Sequence, residues 1–240
     1  MTDNNLYSLG LESDDRVTST LGGGIPKSSI CLLEGDTGGG KSVWTQRFAS
    51  GFADGGASVC YITAEYRADG FVKQMRSLGY PVLDFMVHGD LLFFRADTEA
   101  ESYAGRSAPL DALEQSPVIW DSDVVIIDDF DILVRLTADL TGKDEELVIS
   151  EFMNFLDDIT LVGTTVVLAV NSTLLDDASA NKIRAKSSLF FRIEMEKVAG
   201  NVRRGMSVVR YSQMQEQVDS TISYSVQPRI GIIIETRTVA

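Results

Sequence analysis

The sequence predicts an α/β fold: a mainly parallel central sheet flanked by helices, with antiparallel strands toward the C-terminal end. Three observations predict it. An apolar run, Ile30-Cys31-Leu32-Leu33, enters a glycine-rich bend and leaves it on Lys41-Ser42, where a helical pattern begins. A second apolar run, Val124-Val125-Ile126-Ile127, ends on the paired acids Asp128-Asp129. Strand and helix patterns alternate from the first run to about residue 187, and beyond it strands follow strands.

The bend carries the most specific chemistry. Gly35-Asp36-Thr37-Gly38-Gly39-Gly40-Lys41-Ser42 fits G-x-x-x-x-G-K-S/T, the Walker A phosphate-binding loop. Glycines let consecutive backbone N–H groups turn inward around a polyphosphate without Cβ clashes. Lys41 can reach the outer phosphates, and the Ser42 hydroxyl suits a Mg²⁺ ligand. The helix that follows, marked by Val43, Trp44, Phe48 and Phe52, points its positive end at the same anions. ATP with Mg²⁺ is the expected cofactor pair.

Residues 1–16 are polar and acidic and form an expected flexible lead-in to a single domain spanning 17–240. Ser58–Thr63 is a buried-strand pattern that lands on Ala64-Glu65. Phe71, Met75 and Leu78 then mark one apolar stripe of a helix that stops at Gly79. Leu91–Arg95 is a further strand. The polar stretch 97–116 is expected as a long loop, either functional or without fixed structure. Asp144–Ile159 reads as a helix and Thr164–Val170 as a strand ending at Asn171, which is either a phosphate-sensing amide or a turn residue. A helix over 178–186 precedes strands at 188–195, 206–211, 222–226 and 230–235.

Asp128 ends a β-branched strand some 85 residues beyond the loop, the position from which a carboxylate holds Mg²⁺ in phosphate-loop proteins. Asp129 is either a helix cap or a support for that carboxylate. Glu65 leaves a buried strand beside the loop, which suits water-orienting or general-base work; the alternative is a solvated loop acid.

Composition narrows the possibilities. The 240 residues carry 21 basic against 35 acidic side chains, a net charge of −14. No basic stripe is visible, which argues against nucleic-acid binding and a DNA-recombinase role. The acid excess is either an ordinary solvated surface or an adaptation to a high-salt cytoplasm, as in a halophilic archaeon. No apolar window is long enough to span a membrane, and the acidic N-terminus does not resemble a secretory signal; the expected location is cytoplasmic. Cys31 and Cys60 both lie within apolar strand patterns, as buried thiols rather than a disulfide or metal pair.

Leu21-Gly22-Gly23-Gly24-Ile25-Pro26 ahead of the loop, and Tyr61-Ile62-Thr63-Ala64-Glu65 after it, resemble RecA-superfamily ATPases of the KaiC type. A single acidic domain of this length is similar to the archaellum accessory ATP-binding proteins of the FlaH type. The likeness spans roughly residues 17–236. It implies a RecA/KaiC-like core, with Lys41 and Glu65 as the hydrolytic machinery. It also implies a cation near the C-terminus that reaches the neighbouring subunit's nucleotide. Arg210 occupies that region, but Ser212 stands where the family's second cation would be, so only half of the pair is present.

The resemblance further implies an ATP-binding component of the archaeal swimming motor that hydrolyses slowly or not at all. It would form a hexameric ring and engage the motor ATPase FlaI and cytosolic scaffold proteins, reaching the cytoplasmic face of the membrane only through them. The alternative is an active KaiC-type ATPase or autokinase with a regulatory role.

Overall fold

The computed structural model describes residues 5–9, 16–198, 201–212, 218 and 220–235. Leu6–Tyr7 (β1) pairs antiparallel with Ile25–Pro26 (β2), and Val17–Thr20 (α1) lies between them in sequence. Ile30–Gly35 (β3) leads through the glycine loop into Lys41–Asp54 (α2). Val59–Thr63 (β4), Ala68–Ser77 (α3), Leu83–His88 (α4) and Leu91–Arg95 (β5) follow. Next come Pro109–Glu114 (α5), Pro117–Trp120 (α6), Val124–Ile127 (β6), Phe130–Thr141 (α7) and Glu145–Leu161 (α8). Thr165–Val170 (β7) and Asp177–Lys186 (α9) precede Leu189–Val198 (β8), Asn201–Tyr211 (β9), Thr221–Gln227 (β10) and Gly231–Ile234 (β11).

Nine strands form one sheet in the order β11-β10-β9-β8-β3-β7-β6-β4-β5. From β8 to β5 every pairing is parallel; β9, β10 and β11 extend the sheet antiparallel, as the sequence predicts. The central strands read as unbroken apolar runs because both faces are covered. Cys31, Leu33, Val59, Tyr61, Val124 and Ile126 point into the core packed by α2 and α3. Their neighbours Leu32, Cys60, Ile62, Val125 and Ile127 point into a second core with α7 and α8. Trp44, Phe48 and Phe52, four residues apart on α2, stack along the first core with centroids 5.7 and 6.0 Å apart. Tyr224 of β10 closes on Trp44 at 5.2 Å, so the antiparallel strands wrap α2.

Four expectations change. The lead-in is not loose throughout: Leu6 is 6% exposed and Leu9 fully buried, while residues 1–4 and 10–15 lie outside the described residues. The 97–116 stretch holds a 3₁₀ turn at Ala100–Tyr103 and all of α5. Leu110 is buried there, and its N–H reaches Thr137 Oγ1 at 3.1 Å. Helix α7 is anticipated in the sequence only by the alternative reading of Asp129 as a helix cap, not by any pattern over Phe130–Thr141. Strand β9 begins five residues earlier than expected, at Asn201.

Candidate nucleotide-binding site

The site lies at the carboxyl ends of β3, β4, β6 and β7, where an open parallel sheet binds its ligands. Gly35 ends β3 beside β8, and a Cβ there would sit 2.8 Å from the Ile193 carbonyl oxygen, so only glycine fits. Gly40 has φ of 107°, a left-handed conformation that glycine adopts without strain. Asp36, Thr37 and Gly38 form the exposed rim of the loop, and Gly39 N–H donates to Asp36 O at 3.1 Å. No side chain caps α2 at Gly40. Its first N–H groups therefore face the loop without an internal partner, an arrangement that attracts anions. Lys41 folds back over the hollow, its Nζ 2.7 Å from Gly35 O and 3.1 Å from Asp36 O.

Asp128 is fully buried at the end of β6. Its Oδ2 accepts from Tyr61 Oη at 2.8 Å, and among the described residues its Oδ1 has no hydrogen-bond partner. Burial pushes this carboxyl up to about 7, with the Asp129 charge adding to the rise; the Tyr61 and Ser42 hydroxyls pull it down. An orphaned carboxylate oxygen beside a serine hydroxyl suits a hard divalent cation. The residues present therefore fit Mg²⁺, with Ser42 and Asp128 placed to hold it directly or through water.

Asp129 serves a different partner. Its φ of 68° turns the chain sharply, and its Oδ2 accepts from Thr63 Oγ1 at 3.1 Å and from Ala64 N–H at 3.3 Å. Thr63 Oγ1 in turn accepts from Glu65 N–H at 3.1 Å. Asp129 thus sits at the helix-capping position of α7 while its side chain braces the turn that carries Glu65. Glu65 is exposed and within electrostatic reach of Asp128. The adjacent Tyr66 hydroxyl meets the Glu65 carboxylate, and burial, then that charge, pushes the phenol up to about 12.

This loop, sheet order and acid placement coincide with a known family. The profile described as "ATPase: KaiC" matches residues 10–238. The chain belongs to the KaiC ATPase family. Among its relatives, the archaeal flagellar ATP-binding protein FlaH of Methanocaldococcus jannaschii is 27% identical over 235 residues, 98% of either chain. FlaH of Methanococcus voltae is 27% identical over 238 residues, 97% of this chain and 98% of that one. The crystal structure of flagellar accessory protein FlaH from M. jannaschii superposes with a TM-score of 0.86 at 26% identity, covering 97% of this chain and 100% of that one. A KaiC-like protein from Pyrococcus horikoshii shares the fold, with a TM-score of 0.74 at 15% identity and coverage of 96% and 99%.

In this KaiC-family chain the sequence-predicted residues separate into two groups. Gly35 to Ser42, Glu65 and Asp128 converge at the carboxyl ends of the parallel strands. Arg210 does not. It pairs with Phe190, which pairs with Leu32, so it lies toward the far end of β3 from the phosphate loop. Its Nη1 donates to Arg184 O at 2.7 Å and Ser187 O at 2.8 Å, closing the carboxyl end of α9. Within this chain the exposed guanidinium is thus engaged through Nη1 by its own helix, away from its own phosphate loop. Arg204, opposite Met195, lies instead at the loop end of β9.

Two contributions escaped the sequence reading. Tyr61 and Thr45 form a hydroxyl chain into Asp128, signalled only by a phenol within an otherwise apolar strand. Asp131 at the start of α7 accepts from the Asn171 backbone N–H at 2.8 Å, anchoring the main chain from which the Asn171 carboxamide projects.

Proposed function

We propose that this protein binds ATP with Mg²⁺ and serves the archaellum as a nucleotide-dependent assembly component. The observation that carries this is the convergence of an uncapped α2 N-terminus, Lys41, Ser42 and the orphaned Asp128 oxygen on one hollow. Main-chain N–H groups of the loop orient the phosphates, and Lys41 exchanges its two carbonyl partners for phosphate oxygens. A bound Mg²⁺ would neutralise charge between the outer phosphates. The relatives named as flagellar ATP-binding proteins support placing that site in the archaeal motor.

In this reading subunits form a hexameric ring, engage the motor ATPase FlaI and scaffold proteins when ATP is bound, and turn ATP over slowly or not at all. The engagement of Arg210 by α9 supports slow turnover, because cations supplied in trans contribute about 10³–10⁵ in rate in related phosphoryl transfer. Among the described residues no helix is long and apolar enough to cross a membrane, so contact with one would run through partners.

The test combines ATP titration with light scattering, with and without Mg²⁺, for the wild type and Lys41→Ala, in the presence of FlaI. Mg·ATP-dependent assembly that Lys41→Ala abolishes is expected. An active ATPase or autokinase is favoured by one observation, the braced and exposed Glu65 beside Asp128. Turnover above ~1 s⁻¹ by the purified protein would select it.

A further inference from the structure

We infer that Tyr61 is the positioning residue of the cation site, aiming the free oxygen of Asp128 at Ser42. The inference rests on the Mg·ATP site proposed above and adds a residue to which no role has been assigned there.

Tyr61 lies in the middle of β4, fully buried, with its hydroxyl between helix α2 and strand β6. A phenol there exposes a polar group to an apolar core, so its hydroxyl must be paired to be tolerated. It is paired twice, to Asp128 Oδ2 at 2.8 Å and to Thr45 Oγ1 at 2.9 Å. Tyr61 has one proton, and the carboxylate takes it. The phenol oxygen is left to pair with Thr45 Oγ1, whose own single proton also has the Ser42 carbonyl oxygen within donating distance at 3.0 Å. Tyr61 is therefore the donor to Asp128, and the Thr45 hydroxyl holds the phenol oxygen from the α2 side.

Its effect at Asp128 is selective. Oδ2 is held and, among the described residues, Oδ1 is left without a partner. A carboxylate fixed by one oxygen presents the other in a single direction, and here the Ser42 hydroxyl is near. The ring that does the holding is itself immobilised. Its centroid is 4.8 Å from Phe71 of α3 and 6.4 Å from Phe93 of β5. Supporting groups of this kind set ligand orientation, and their loss typically weakens metal binding about 10- to 100-fold.

The hydroxyl chain also begins where it ends. Thr45 is three residues beyond Ser42, on the same face of α2. One helix therefore contacts Asp128 twice, through Ser42 and through the Thr45–Tyr61 pair.

The test uses the full chain as wild type, Tyr61→Phe and Thr45→Val. Mn²⁺ uptake in the presence of ATP is followed by electron paramagnetic resonance, and ATP affinity is measured separately in EDTA. Tyr61→Phe keeps the ring packing and removes only the hydroxyl. It is expected to raise the Mn²⁺ concentration at half-saturation about 10- to 100-fold while metal-free ATP affinity stays within about twofold. Thr45→Val is expected to shift Mn²⁺ in the same direction by less, and it carries the test should Tyr61→Phe not fold. Unchanged Mn²⁺ binding in the variants, or parallel loss of metal-free ATP affinity, would overturn the inference while leaving the Mg·ATP site standing. A wild type that takes up no Mn²⁺ with ATP would instead bring down the site itself, and the role of Tyr61 with it.

Discussion

The Asn171 carboxamide donates from Nδ2 to Thr37 Oγ1 at 3.0 Å, joining the end of β7 to the rim of the phosphate loop. Its orientation is set from the other side, because Oδ1 accepts from Thr173 N–H at 3.2 Å and from Thr173 Oγ1 at 2.7 Å. The amide nitrogen is thereby left facing the loop. Asn171→Asp keeps the Thr173 contacts, deletes the donor and adds a negative charge. Calorimetry should show ATP affinity falling about tenfold or more, and ADP affinity falling less, because a lost bond to a charged partner costs about 1.5–3 kcal/mol. Equal losses for the two nucleotides would remove Asn171 from any part in sensing the terminal phosphate.

Arg210 is expected to act on stability alone. The carbonyls of Arg184 in α9 and of its C-cap Ser187 accept from the guanidinium at 2.7 and 2.8 Å, satisfying groups that a helix end leaves open. The side chain is exposed, so the cost of Arg210→Ala should be about 1 kcal/mol. Thermal denaturation should show a lower midpoint, with ATP affinity and nucleotide-dependent assembly retained. Assembly lost at unchanged stability would return this arginine to an interface.

Glu34 presents a sharper energetic case. Its side chain is 7% exposed, and Arg184 grips it with two bonds of 2.6 and 2.8 Å, while Arg192 stands at 3.6 Å. Arg184→Met leaves a buried carboxylate with only the more distant arginine. Chemical denaturation should register a loss of about 2–3 kcal/mol, below the full cost of an orphaned buried charge because Arg192 remains. Adding Glu34→Gln should restore part of the loss.

Metal-free stability should carry the signature of Asp128. Burial raises its carboxyl from the model-peptide range to about 7, so between roughly pH 4 and 7 the folded state holds a proton that the unfolded state has released. This contribution is full below the unfolded pKa and is lost as pH rises through 7. Asp128→Asn removes it. The stability of the variant relative to wild type, measured in EDTA, should therefore climb across that window and level off above it. A flat difference would mean that the buried carboxyl stays ionised throughout.

The parallel strands and the phosphate loop were legible because their causes are local: strands covered on both faces read as unbroken Val/Ile/Leu runs, and a glycine bend before Lys-Ser has few other uses. Helix α7 was not. It starts directly from the left-handed Asp129 with no side-chain cap, and Phe130 to Leu136 reads as easily as strand as helix. The burial of Leu6 and Leu9 depends on a surface that distant residues such as Phe52 build. The place of Arg210 was not legible for a similar reason. Its level along the sheet is fixed by an irregular register between Phe190 and Phe191, which no local pattern announces.

Asp128 and Asp129 are consecutive, yet the backbone twist at the second sends their carboxylates to unrelated recipients. A single peptide unit consequently couples the carboxylate proposed to seat the cation to the turn that carries Glu65. Amide replacement at the first acid should abolish ion retention; at the second it should leave the ion seated and slacken the Glu65 turn. Two neighbouring letters of the chain thus encode faculties that genetics can pull apart.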